Sequence, residues 1–150
     1  NYDGTQRASG PSPEFLQRVP ATRHWLAQAF SRAKASNAAG LMVVVQANPD
    51  FEAYAAGKAH PGYLDFLNQL RDATMAFSGQ VVLVHGDSHH HQIDQPFRDP
   101  VTQKVIGNFT RVETFGSPWM GWIRATVNAK DPKVFRFEPR PFQRKMFPEN

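Results

Sequence analysis

The chain has 150 residues, is 41% apolar, carries a net charge of +4, and contains 12 prolines and no cysteine. That length suits one domain with a sizeable core. Without cysteine there are no disulfides, thiolate metal sites or cysteine nucleophile, and the compartment stays open. No apolar run approaches the ~18 residues of a membrane helix, and the polar amino terminus does not read as a signal peptide. The basic excess gathers late, at Arg136, Arg140, Arg144 and Lys145. It reads as a solvated tail rather than a nucleic-acid surface, since no recognised motif accompanies it.

Residues 1–20 are interrupted by Pro11, Pro13 and Pro20 and read as an irregular lead-in to a domain over 21–150. A helix is expected from Thr22, its N-cap, with Trp25, Leu26, Ala29, Phe30 and Ala33 on one face and Gly40 just beyond its end. "LMVVVQ" (41–46) is a continuous apolar run that suits a strand covered on both faces. Asn48 and Pro49 then turn the chain. A second helix is expected over about 62–77, burying Tyr63, Leu64, Phe66, Leu67 and Leu70, and "QVVLVH" (80–85) forms the next strand. The two strands should be parallel neighbours joined right-handedly through that helix. After His91 a polar loop or short hairpin leads to "FTRVETF", "WIRATVN" and "VFRFEP", expected to be antiparallel. The fold class is therefore α/β (α+β): parallel strands, then an antiparallel meander, in one mixed sheet or two packed sheets. Trp25, Phe30, Tyr63, Phe66, Phe115, Trp122, Phe135 and Phe137 are read as core, and Trp119 as the rim of a cleft. "NFT" (108–110) matches a glycosylation sequon but falls inside a strand.

In open α/β sheets ligands gather beyond the carboxyl ends of the strands. One strand ends at "QANP", the other at "HGDSHHHQ". Adjacent strands bring Gln46 together with Asp87 and His89. In extended backbone His85, Asp87 and His89 would point to one side and His90 to the other. Gly86 permits a tight turn or close approach by a ligand. "GDS" also resembles the nucleophile motif of GDSL-type esterases, but it sits past the midpoint and no histidine follows His91 to act as base. Two readings remain: a solvated loop, or a site where imidazole and carboxylate hold Zn, Mn or Fe.

The run from "RHWLAQAF" through "VVVQANPDFE" and "VVLVHGDSHHHQIDQP" to "NFTRVETFGSP", "WIRATVN" and "VFRFEP" resembles the carboxyl-terminal half of a bacterial calcineurin-like metallophosphoesterase. In that family a buried strand ends in Gly-His-x-His, whose histidines bind a two-metal centre. Gly86-Asp87-Ser88-His89 matches it with Asp87 in place of the first histidine, and Gln46 stands where an earlier strand ends in a metal-binding histidine. The resemblance implies half of a four-layer α/β/β/α sandwich, with two divalent metal ions (Mn, Fe or Zn) and a phosphoester substrate. It implies Asp87 and His89 as metal ligands, Gln46 as a ligand or a donor to phosphate, and His85 and His90 in catalytic roles unless His90 is simply exposed; Asn48 and Arg111 are candidate substrate-binding residues, Arg111 reading rather as decoration of a sheet face. Of the family's amino-terminal motifs, Gly-Asp-x-x-Asp and Gly-Asn-His-Asp/Glu do not occur in this sequence, and Asp-x-His occurs only as Asp87-Ser88-His89, past the midpoint. The expected partner is therefore the amino-terminal half of the same domain or a second chain. A non-catalytic binding module of the same fold is the alternative, and bacterial cytoplasm and periplasm both remain open.

Overall fold

The computed structural model describes residues 10–118 and 120–142. Trp119, Arg144 and Lys145, like residues 1–9 of the expected lead-in, lie outside the described residues.

The first helix, α1, spans Pro13–Ala35, so it starts well before Thr22. The lead-in expectation is corrected over this stretch. Ser12 is the N-cap and accepts from the Phe15 amide at 3.1 Å. Pro13 occupies the first turn, where its missing N–H costs nothing. Pro20 had marked a break, yet the helix runs through it. Leu26, Phe30 and Ala33 form its buried stripe, whereas Trp25 is half exposed. β1 follows at Gly40–Val44. A five-residue helix, α2 (Phe51–Ala55), is too short to show a period and was not foreseen. Asp50, at φ 58°, caps it by accepting from Ala53 N at 2.9 Å. α3 spans Pro61–Met75 and buries Leu67, Leu70 and Thr74. Leu64, expected on that face, is nearly half exposed.

β2 (Gln80–His85), β3 (Gln92–Asp94) and β4 (Phe109–Glu113) complete a four-stranded mixed sheet in the order β1-β2-β4-β3. β1 and β2 are parallel, as expected. β4 is not part of an antiparallel meander: it runs parallel to β2, and only β3 opposes it. The long connection after β3, pinned by a bridge between Arg98 and Val105, returns the chain before β4 begins. β5 (Gly121–Val127) and β6 (Phe135–Pro141) form a separate antiparallel hairpin. Trp122, expected in the core, is half exposed on it. Arg136 and Arg140 in this hairpin are paired with Asp131 and Glu138.

Register sorts the sheet into two faces. Val81, Leu83 and His85 stand beside Phe109, Arg111 and Glu113. The apolar members of this set pack with Leu26, Phe30, Phe51, Leu67 and Leu70 under the helices. Fully burying a Leu or Phe contributes roughly 1.5–3 kcal/mol, so this layer dominates the core. His85, Arg111 and Glu113 lie at the carboxyl end of the same face, and all three are buried.

Asn108 has a structural task. Its Nδ2 donates to the carbonyls of Thr74, Phe77 and Gly79 at 3.1, 2.9 and 3.0 Å, tying the end of α3 to the start of β2. That nitrogen is the atom a sequon glycan would need. Asn108→Ala should cost about 1–3 kcal/mol, because carbonyls at a helix end lose their donor. Urea unfolding checks this; a change under about 0.5 kcal/mol, the level of an ordinary surface substitution, would contradict it.

Candidate functional site

The parallel ladder continues past the formal strand ends. Val45 N donates to Val84 O at 3.0 Å, Gly86 N to Gln46 O at 3.1 Å, and Thr114 N to His85 O at 2.8 Å. Gln46, Gly86 and Thr114 are therefore brought side by side at the carboxyl edge of the sheet. A Cβ on Gly86 would lie 2.9 Å from Thr114 Oγ1, which explains glycine there.

Beyond Gly86 the backbone is not extended. Asp87 has φ 79° and His89 has φ 66°, both left-handed. The simple alternation expected for His85, Asp87 and His89 does not hold, because each such residue reverses the chain locally. The outcome still brings the three expected ligands to one place. A cleft of about 320 Å³ is lined by Gln46, His85, Gly86, Asp87, His89 and Thr114, among others. Gln46 Nε2 donates to Asp87 Oδ1 at 3.2 Å. His89 Nδ1 donates to Ser117 O at 2.6 Å, which leaves the lone pair on Nε2. The imidazole lies so close over Gly116 that any Cβ there would collide with it.

The other histidines are used differently. His91 Nδ1 donates to Glu113 O at 2.8 Å, and its ring stacks on Phe115 with centroids 4.2 Å apart. His90 is exposed, and its backbone N–H points to Ser88 Oγ at 3.4 Å. Neither lines the cleft. His85 is a floor residue: it is 1% exposed, its Nδ1 donates to Gly86 O at 3.3 Å, and burial lowers its affinity for a proton.

Arg111 and Asn48 are not brought to the cleft. Arg111 is 1% exposed, and its Nε and Nη2 grip Asp94 at 2.7 and 2.6 Å. Nη2 also meets Glu52 at 2.8 Å, and the guanidinium lies 5.2 Å from the Phe51 ring centroid. Its charge is already neutralised by two carboxylates. Asn48 Oδ1 accepts from Asp50 N at 2.9 Å and shapes the turn into α2.

Glu113 is a residue that sequence reasoning passed over, since a glutamate in an alternating strand reads as a solvent position. Here it accepts from Ser88 Oγ and lies 3.9 Å from His85 Nε2. Burial pushes its carboxyl above the usual range, although the Arg111 charge opposes this. A raised folded value stabilises the protein below the ordinary glutamate pKa, and that contribution is lost as pH rises through the folded value. Glu113→Gln keeps an acceptor for Ser88 and removes the buried charge. At pH 8 it should melt above the wild type, and the gap should close toward pH 5. A variant less stable than wild type at pH 8 would contradict this.

Among the described residues no group of three or more His, Asp or Glu converges as a metal cage. Asp87 and His89, with the Gln46 amide beside them, offer a partial donor set. The tethered Nδ1 of His89 fits that use, since ligating histidines carry their other ring nitrogen on a carbonyl or carboxylate. No family model, curated protein or solved structure matches the chain. No helix among the described residues is long and apolar enough to cross a membrane.

Proposed function

We propose that the chain is the carboxyl-terminal part of a metal-dependent phosphoester hydrolase, folded as half of a calcineurin-like four-layer sandwich. The observation that supports this best is the meeting of Gln46, Asp87 and His89 in one cleft at adjacent parallel strand ends. In this reading Asp87 and His89 hold metal, with Gln46 beside them. Asp87, His89 and Gln46 would hold part of a centre of two divalent metals (Mn, Fe or Zn), which would supply Lewis-acid stabilisation of a phosphoryl group. The protein's own contributions are positional. Ser117 O fixes the His89 tautomer. Gln46 orients the Asp87 carboxylate by occupying one oxygen. Gly86 lets a phosphate approach the backbone. His85 supports the turn from below as a neutral imidazole.

The remaining ligands come from the amino-terminal half of the domain or a partner chain. Residues 1–150 alone are therefore expected to bind metal weakly and to hydrolyse aryl phosphates poorly, assayed with added Mn, Fe or Zn. Robust phosphatase activity from these residues alone would overturn the division of the site.

A further inference from the structure

A larger cavity, about 750 Å³, opens beside the cleft between the first half of α1 and the start of α3. Val45 and Gln46 belong to the walls of both. The remaining wall is mainly apolar and ring-bearing, with Phe15, Val19, Pro49, Tyr63 and Phe66. Its size falls in the ~300–1,000 Å³ range of small-molecule sites. The arginines at its rim are already paired: Arg23 meets Asp65 at 2.6 Å, and Arg18 lies 3.5 Å from Glu14. A polyanionic body would meet no uncompensated arginine there. Tyr63 lines this cavity, and burial raises its phenol pKa.

We propose that this groove binds the neutral aromatic portion of an organic phosphate ester whose phosphoryl end occupies the Asp87–His89 cleft. The phosphoryl end rests on the hydrolase reading; the aromatic end rests on the groove alone. Flat rings on the walls favour an aryl group, which gains offset or edge contacts beyond its burial.

Amide chemical shifts of the 150-residue chain in Mg²⁺ buffer test this with three probes: 2-naphthol, 2-naphthyl phosphate and inorganic phosphate. Both naphthyl compounds should shift Ala47, Gly62 and Phe66, while the two phosphates should also shift Gly86 and Gly116. Thr22→Trp, an exposed position on the groove wall, and Phe66→Ala should each weaken 2-naphthol binding by about tenfold. Groove shifts with 2-naphthol, but no cleft shifts with either phosphate, would support the aromatic site and show that residues 1–150 alone do not hold the phosphoryl end. Naphthyl compounds that leave Ala47, Gly62 and Phe66 unmoved, or 2-naphthol affinity unchanged in both variants, would overturn the inference.

Discussion

Arg111→Met should lower the free energy of unfolding by about 3 kcal/mol, the largest stability loss expected for a single substitution here. The guanidinium is 1% exposed and joins three elements: β4 carries it, Asp94 of β3 holds it from the opposite register position, and Glu52 of α2 closes it from above. Removing it leaves Asp94, only 34% exposed, without its cation. Glu52, at 63%, can turn to water, which keeps the cost near the lower end of the ~3–5 kcal/mol range for broken buried pairs. Arg111→Lys should recover less than half of the loss, because a point charge cannot reproduce the bidentate grip on Asp94 together with the contact to Glu52. The pH dependence gives a second readout. The hydrogen bond from Arg111 holds the Glu52 carboxyl below its ordinary value. Its stabilisation is therefore full above the unfolded pKa and is lost as pH falls through the folded one. The acid limb of the stability profile should be shallower in Arg111→Met. Urea unfolding between pH 3 and 8 measures both effects, and a loss below about 1 kcal/mol would show that the cluster is not a structural clasp.

His89→Ala should weaken divalent-metal binding by about 100-fold, at the upper end of what even supporting residues contribute at metal sites. The fold should survive, since His89 is exposed and its only described side-chain hydrogen bond goes to Ser117 O. Gly116→Ala should approach the same loss without touching a ligand, because its methyl group would displace the imidazole. Calorimetric titration with Mn²⁺ and Zn²⁺ compares the three proteins. Equal affinities would remove His89 from the ligand set.

The sequence made some of this legible and hid the rest for definable reasons. β1, α3 and β2 could be read because continuous valine runs and a 3.6-residue apolar period are local signals. The start of α1 was hidden by Pro20, while Ser12, Pro13 and Glu14 already formed a helix start three residues long. The direction of β4 is not a local property. "FTRVETF" alternates like any half-buried strand, and only the return of the chain through the Arg98–Val105 bridge makes it parallel to β2. The strand-end rule brought Gln46, Asp87 and His89 together correctly, although the left-handed residues that achieve it were not foreseen. The surroundings of Arg111 were hidden for the same reason as β4: its carboxylate partners come from β3 and α2, and sequence spacing does not reveal that they neutralise it. The triple histidine resolved into one cleft residue, His89, one exposed residue, His90, and one anchor, His91, and only tertiary contacts separate them.

Gln46, Asp87 and His89 are proposed to form a metal-binding locus. Paramagnetic broadening by substoichiometric Mn²⁺ tests it most directly, because the effect is local to the bound ion. Signals of Gln46, Gly86, Asp87, His89 and Gly116 should broaden first in the wild type, and those of Gln46, Gly86, Asp87 and Gly116 should remain sharp in His89→Ala. Broadening centred on other carboxylates, or unchanged in His89→Ala, would contradict the account.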